Sequence, residues 1–210
     1  MRPQLPGIYP ITDTEISGLS HTEQTKRLIE GGAKLIQFRE KRARAGEWFD
    51  DASDAVRICR EAGVLSIIND RVDIAIAVNA DGMHLGQDDL PVAAARRLLG
   101  PKKIIGLSTH TPEQLRAALL EPIDYVAMGP IFDTSTKSRP DPTVGLEKLS
   151  EAVEMAGNVP LVAIGGITED AVAAVLGAGA SSAAMIGAIL ADPGRIAARY
   201  RELAKIASKC

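Results

Sequence analysis

Short apolar runs recur at nearly regular intervals along the chain, and each run is too short to form an independent helix. Several of the runs are rich in Ile and Val, which is typical of buried parallel strands. The pattern therefore predicts eight strands, at residues 7–12, 34–38, 64–68, 82–85, 104–107, 125–128, 161–164 and 183–186.

Longer segments separate these strands, and their apolar residues have helical spacing. In one of them, Phe49, Val56 and Ile58 lie among charged residues, as on an amphipathic helix. The predicted helices cover residues 22–30, 47–61, 72–78, 91–99, 112–120, 146–156, 169–176 and 195–206. Eight strands alternating with eight helices predict an α/β protein, a single (β/α)8 TIM barrel over residues 1–210. A doubly wound open sheet is the alternative, because both folds repeat βα units.

The composition excludes several classes of function. A chain of 210 residues can bury a full core, and its formal net charge of -3 gives no support for a nucleic-acid binder. Cys59 and Cys210 form no C-x-x-C pair, so we expect no zinc site and a reducing, cytoplasmic location. Residues 171–191 carry no charge, but Gly177 and Gly179 interrupt them. We expect a helix end, a turn and a short buried strand there rather than a membrane span.

Polar residues follow most of the predicted strands, at the end where a TIM barrel places its function. Arg39 and Lys41 lie two residues apart after the second strand, and with Lys137 they would form a cationic pocket for a polyphosphate. The alternative is a solvated basic run, because Arg42 and Arg44 follow directly.

Two aspartates follow adjacent strands, so their carboxylates could converge. Asp70 comes after the third strand and Asp89 after the fourth. Two carboxylates that share a ligand's phosphate oxygens and leave room for water suit Mg²⁺. The alternative is helix capping, because each Asp stands just before a predicted helix.

Glycines follow the last two strands, as Gly165-Gly166 and as Gly187. Such glycines let backbone N–H groups approach a phosphate, but they also serve tight βα turns. The segment from Thr134 to Gly145 is rich in Pro and hydroxyl groups, and it is longer than a usual βα connection. A loop of this kind is either a lid, with residues 138–144 as its moving part, or a disordered insertion.

The remaining candidates have weaker patterns. His84 lies inside a predicted strand, so we expect a packed core residue rather than a base. Ser108 has no plausible His/Asp pair, which favours a hydrogen bond to a ligand over a role as nucleophile.

Four motifs in this order resemble those of the thiamine-phosphate synthase family, also called thiamine-phosphate pyrophosphorylases. The resemblance covers about residues 9–189, and its most specific motifs are residues 81–89, DGMHLGQDD, and 129–137, GPIFDTSTK. Residues 37–41, QFREK, and 68–71, INDR, support them. The resemblance implies a TIM barrel that joins 4-amino-2-methyl-5-hydroxymethylpyrimidine diphosphate to 4-methyl-5-hydroxyethylthiazole phosphate, releasing pyrophosphate and forming thiamine phosphate.

The resemblance also implies a role for individual residues. The pyrimidine diphosphate would be bound by Gln37, Phe38, Arg39, Glu40, Lys41, Asn69, Ser108 and Lys137. Of these, the cations Arg39, Lys41 and Lys137 would be catalytic, and Asp70 and Asp89 would bind Mg²⁺. The thiazole phosphate would be bound by Thr134, Ser135, Thr136, Gly166, Ile186 and Gly187. One departure is Gly187, where the family commonly has Ser.

Two other functions fit the same fold. A thiazole tautomerase shares the thiazole phosphate site but has no use for a diphosphate pocket. A non-catalytic barrel that binds a phosphate ligand needs neither the metal pair nor the lysine of the loop. The expected partners are therefore small-molecule substrates, without nucleic acid or membrane, and a homo-oligomer is compatible with the sequence.

Overall fold

The computed structural model describes residues 3–134 and 142–210, in which eight parallel strands close into a barrel. Each strand pairs with the next one along the chain, and β8 pairs with β1, which excludes an open sheet. This confirms the predicted TIM barrel. The strands are β1 Ile8–Thr12, β2 Leu35–Phe38, β3 Leu65–Asn69, β4 Gly82–Leu85, β5 Ile104–Thr109, β6 Tyr125–Met128, β7 Leu161–Ile164 and β8 Ser182–Met185.

Helices form the outer layer of the barrel. All eight predicted helices are present, with ends that differ from the prediction by a few residues, and the short helices α1 and α9 were not predicted. The helices are α1 Thr14–Ser17, α2 His21–Gly31, α3 Ala45–Glu61, α4 Val72–Ala77, α5 Val92–Leu99, α6 Pro112–Ala118, α7 Gly145–Ala156, α8 Val172–Gly177, α9 Gly187–Leu190 and α10 Ile196–Ala207. Short 3₁₀ turns, Glu169–Ala171 and Pro193–Arg195, precede α8 and α10.

Alternate strand residues fill two separate layers of the core. One layer lies inside the barrel and includes Tyr9, Leu35, Ile67 and Tyr125. The other lies between the strands and the helices and includes their chain neighbours, such as Ile36. Because side chains alternate along a strand, this register also fixes which polar residues face the interior of the barrel.

The uncharged segment 171–191 is not a membrane span. It contains α8, a turn, β8 and α9, as the glycines predicted. Across the described ranges, no helix has both the length and the apolar character that crossing a membrane requires.

Candidate active site

Polar side chains converge at the carboxyl ends of the strands. Gln37, Asn69, His84 and Ser108 occupy interior-facing positions near the ends of β2, β3, β4 and β5. Gln37, Asn69 and His84 are buried, and Ser108 is half-buried. Phe38 has the opposite register, and its buried ring packs in the outer layer, edge-on to His21. The Phe38 side chain therefore does not face the barrel mouth, and only its backbone could contact a ligand there.

Arg39 is held by a residue that the sequence analysis missed. Its guanidinium forms an ion pair with the buried carboxylate of Asp13, directly after β1. The other oxygen of Asp13 caps α1, accepting hydrogen bonds from the backbone amides of Glu15 at 3.0 Å and Ile16 at 3.3 Å. A strand end followed by Asp and a short helix is an N-cap signal, and it could have identified Asp13.

Glu40 anchors the turn that carries Arg39. Its carboxylate accepts hydrogen bonds from the Arg42 amide at 2.7 Å and the Ala43 amide at 3.0 Å. It also accepts one from the Thr14 hydroxyl at 3.0 Å and lies 3.3 Å from His21 Nε2. Burial alone would raise the pKa of Glu40, but these hydrogen bonds outweigh it and lower the pKa to about 2. Both oxygens are thus engaged by the protein, and its binding of the pyrimidine diphosphate stays a prediction.

The residues after Arg39 alternate in direction. Lys41 pairs with Asp70 at the mouth of the barrel. Arg42 points to the outside, where it pairs with Glu15 at 2.8 Å on the surface. Arg39 and Lys41 of the QFREK motif thus pair with aspartates that follow β1 and β3, whereas Arg42 pairs with a surface residue. The cationic pocket for a polyphosphate stays a prediction.

Asp70 and Asp89 come together as predicted from their positions after adjacent strands. Burial raises the pKa of Asp89, and the neighbouring Asp70 carboxyl raises it further. Asp89 also accepts a hydrogen bond from the Gly86 amide at 2.6 Å. The capping alternative is wrong for both, because α4 and α5 begin at other residues without a side-chain cap.

The aspartate pair fits a magnesium ion. A divalent cation would relieve the repulsion that the raised pKa of Asp89 reflects, and carboxylate oxygens are ligands that Mg²⁺ prefers. Asp70 adopts a left-handed backbone conformation with φ of 61°, which is uncommon for a residue other than Gly and often marks a functional position. Residues 3–134 and 142–210 contain no group of three or more His, Cys, Asp or Glu suited to a metal.

A chain of hydrogen bonds crosses the interior of the barrel below these charged groups. The Gln37 amide nitrogen donates to the Tyr9 hydroxyl at 3.0 Å, and Tyr9 and Tyr125 join their hydroxyls at 2.7 Å. Tyr125 continues to His84 Nδ1 at 2.9 Å, and His84 Nε2 lies 2.8 Å from Ser108 Oγ. His84 is packed in the core as predicted, but the sequence analysis missed its two polar partners.

Gly106 makes room for this chain. A Cβ at that position would overlap the phenol ring of Tyr125, which stacks on His84 with ring centroids 5.5 Å apart. The sequence signal for this chain of hydrogen bonds was the position of Tyr9 and Tyr125 on the inward face of their strands. Both are large side chains with a polar end, in a protein that has few aromatic residues.

The glycines after β7 and β8 lie on the opposite side of the mouth. Gly165 and Gly166 have φ of 98° and 65°, and a Cβ at Gly166 would lie 2.7 Å from the Phe132 carbonyl oxygen. Both therefore have a backbone reason to be glycine, and phosphate binding stays a prediction. Gly187 begins α9 and has open space around the position of a Cβ.

Several predicted residues lie outside the described part of the chain. Thr134 is the last residue before the gap, and most of the predicted lid falls within residues 135–141. The site residues affected are Ser135, Thr136 and Lys137.

Comparison with known proteins identifies the family. The model of the thiamine monophosphate synthase family matches residues 8–189. A thiamine-phosphate synthase of Pelotomaculum thermopropionicum is 46% identical over 203 residues, which cover 96% of this chain and 92% of that protein. The chain belongs to the thiamine monophosphate synthase family. A second thiamine-phosphate synthase, of Koribacter versatilis, is 42% identical and covers 95% of this chain and 96% of its own.

The fold of the thiamine monophosphate synthase family is also shared by a solved structure. Thiamine phosphate pyrophosphorylase from Pyrococcus furiosus superposes with a TM-score of 0.87, at 34% identity, over 96% of this chain and 95% of its own. The resemblance found in the sequence motifs is therefore confirmed, and so is the prediction of a transferase of the thiamine-phosphate synthase type.

Proposed function

We propose that this chain joins the pyrimidine diphosphate to the thiazole phosphate in a reaction that requires Mg²⁺. The observation that carries the proposal is the cluster of Asp70, Asp89, Arg39 and Lys41 at one mouth of the barrel. A pair of carboxylates beside two cations suits a diphosphate that is bound with a metal ion. A single phosphate carries less charge and needs neither the metal ion nor both cations.

The reaction requires no nucleophile from the protein. The bond between the pyrimidine methylene carbon and the diphosphate oxygen breaks, and its electron pair leaves with pyrophosphate. The electron-rich aminopyrimidine stabilises the methylene cation, to which the thiazole nitrogen then forms its bond. A Mg²⁺ ion held by Asp70 and Asp89 would neutralise part of the charge on the leaving group.

The residues of this chain then have distinct tasks. Arg39 and Lys41 would neutralise negative charge that develops on the diphosphate, and Lys137 is predicted to join them. Asp13 would hold the Arg39 guanidinium in a fixed direction through the ion pair between them. A guanidinium that is already oriented does not have to be ordered when the substrate arrives.

The thiazole phosphate would lie at the glycine side of the mouth. The backbone N–H groups near Gly166, Ile186 and Gly187 would bind it, together with the hydroxyls of Thr134 to Thr136. This arrangement would hold the thiazole nitrogen in line with the methylene carbon and would exclude water, which otherwise traps the cation. We further propose that the enzyme acts in the cytoplasm, in keeping with its unpaired cysteines.

The alternatives have less support. A thiazole tautomerase or a non-catalytic phosphate-binding barrel has no need for an aspartate pair beside Lys41. Condensation therefore separates the synthase from both alternatives, because neither of them releases pyrophosphate.

The test is to mix the purified protein with both substrates and Mg²⁺ and to follow pyrophosphate and thiamine phosphate. We expect product only when both substrates are present, and none after addition of EDTA. Asp89→Asn should abolish most of the activity, whereas its exposed neighbour Asp88→Asn serves as the matched control and should retain it. Binding of thiazole phosphate without condensation would instead favour the tautomerase or the binder.

A further inference from the structure

The hydrogen-bond chain in the barrel interior has a direction. The Gln37 amide nitrogen carries only hydrogens, so it donates to the Tyr9 oxygen. The Tyr9 and Tyr125 oxygens are 2.7 Å apart, and the Tyr125 oxygen is 2.9 Å from His84 Nδ1. With Tyr9 already accepting from Gln37, the arrangement that gives each phenol hydrogen an acceptor directs the Tyr9 hydrogen to the Tyr125 oxygen and the Tyr125 hydrogen to His84 Nδ1. A nitrogen that accepts carries no hydrogen, so the imidazole has its hydrogen on Nε2, directed to Ser108 Oγ.

Each link of this chain depends on the next because the phenols are fully buried. Burial raises the pKa of Tyr9 and Tyr125, so both hydroxyls keep their hydrogens at physiological pH. A buried hydroxyl without a partner is costly, and therefore neither phenol can reverse alone. Reversal requires rotation of the Gln37 amide and a change of the His84 tautomer together.

The direction determines what the two ends offer to a ligand. Ser108 Oγ already accepts from His84, so its own hydrogen is available for donation. At the other end, the Gln37 amide oxygen accepts no hydrogen bond from the described residues, and it remains an acceptor. The hydrogen-bond chain thus ends at the mouth of the barrel in one donor, the Ser108 hydroxyl, and one acceptor, the Gln37 oxygen.

We propose that Tyr9, Tyr125 and His84 determine specificity by fixing this direction, so that the site selects a 4-aminopyrimidine over its 4-oxo analogue. This inference rests on the function proposed above. An amino group donates to the Gln37 oxygen, and a ring nitrogen accepts from the Ser108 hydroxyl. A 4-oxo ring has a carbonyl acceptor and a ring N–H donor instead. The carbonyl oxygen would then face the Gln37 oxygen, which is also an acceptor, and the ring N–H would face the Ser108 hydroxyl hydrogen, which is also a donor.

The test compares two unreactive ligands, the monophosphates of 4-amino- and 4-oxo-5-hydroxymethyl-2-methylpyrimidine, by calorimetric titration. We expect the unmodified protein to bind the 4-amino ligand at least about 100-fold more tightly, since sites built to pair a polar group reject its mismatch strongly. In Tyr125→Phe, the phenol hydrogen that keeps His84 Nδ1 an acceptor is removed. In Tyr9→Phe, the Gln37 amide is free to rotate. Each variant should lose about tenfold or more of the discrimination.

Phe keeps the aromatic ring, so both variants retain the packing against Gly106 and inside the barrel. The matched control is Tyr200→Phe, which removes a buried hydroxyl from the outer layer of the core. That hydroxyl donates to the backbone carbonyl of Ile8 at 3.4 Å and takes no part in the hydrogen-bond chain. It should leave the discrimination unchanged. Thermal unfolding of all three variants verifies that they are folded.

Two results would overturn the inference. Discrimination that is undiminished in both Tyr9→Phe and Tyr125→Phe would show that the chain does not set specificity. Tighter binding of the 4-oxo ligand by the unmodified protein would show that the chain runs in the reverse direction. The condensation assay separates these results from the proposed function, because an active enzyme can fail either test, and a protein that discriminates can fail to condense.

Discussion

Glu40→Gln tests whether the turn after β2 is held by a buried carboxylate. The glutamate oxygens accept from two backbone amides and from the Thr14 hydroxyl, all within 3.0 Å. Glutamine has nearly the same size but replaces one oxygen with a donor group, which would then face other donors. The variant should therefore be less stable than the unmodified protein at neutral pH.

The magnitude follows from the pKa of Glu40. Its ordinary value is 4.5, and the folded value is about 2. At about 1.4 kcal/mol for each unit of pKa, the shift corresponds to at most about 3.5 kcal/mol of stability. Because part of the turn is open to solvent, we expect a loss of about 1–3 kcal/mol. The depressed pKa also fixes the sign: this stabilisation is present above pH 4.5 and is lost as the pH falls through about 2.

Urea unfolding at a series of pH values measures the effect. The free energy of unfolding of the unmodified protein should approach that of Glu40→Gln as the pH falls below 4.5. Glu121→Gln changes an exposed carboxylate without a side-chain hydrogen bond to the described residues, and it is the matched control. A difference between Glu40→Gln and the unmodified protein that is absent at pH 7, or that does not shrink in acid, would refute the reasoning.

Three further substitutions test other parts of the site. Asp13→Asn removes the charge that orients Arg39 and should lower kcat/KM about tenfold in steady-state kinetics, as expected for a charge-assisted hydrogen bond. Gly106→Ala forces the Tyr125 ring to move and should cost about 1–3 kcal/mol in urea unfolding, with weaker binding of the pyrimidine monophosphate. Gly187→Ser adds a hydroxyl in open space at the start of α9 and should lower the KM for thiazole phosphate.

Each of these variants has a comparison that would contradict the expectation. Asp192→Asn changes another capping aspartate, one that accepts from the Gly194 amide rather than from an arginine, and the enzyme should keep its kcat/KM. Equal kinetics for Asp13→Asn and the unmodified protein would disprove the orienting role. Gly46→Ala has free space around its Cβ, and it should not destabilise the protein as Gly106→Ala does. An unchanged KM in Gly187→Ser would show that the hydroxyl is immaterial.

The barrel could be predicted from the sequence because its signals are local. An apolar run of four to six residues followed by an amphipathic segment reports a βα unit wherever it occurs, and eight repeats leave few ways to arrange them. The same regularity placed Asp70 and Asp89 after adjacent strands, and the structure brings them together. The single domain over residues 1–210 and the metal stay predictions, as does the oligomeric state.

The contacts around the site depend on side chains distant in the sequence, and no local pattern reports them. Glu40 stands in a motif of residues that are predicted to bind a ligand. Its oxygens nevertheless contact Thr14 and His21, which approach only when β1 and β2 are paired. Tyr9 and Tyr125 are 116 positions apart and touch across the closed barrel.

By itself, the sequence determined the order of the elements, favoured the barrel over an open sheet and indicated the family, because periodicity and short motifs are properties of neighbouring residues. Only the tertiary structure decided which polar groups face the mouth of the barrel and which hold those groups in place. That division depends on the register of each strand and on the closure of β8 onto β1. Closure brings together hydroxyl, imidazole and amide groups that the chain keeps far apart, and burial then makes every hydrogen bond between them obligatory.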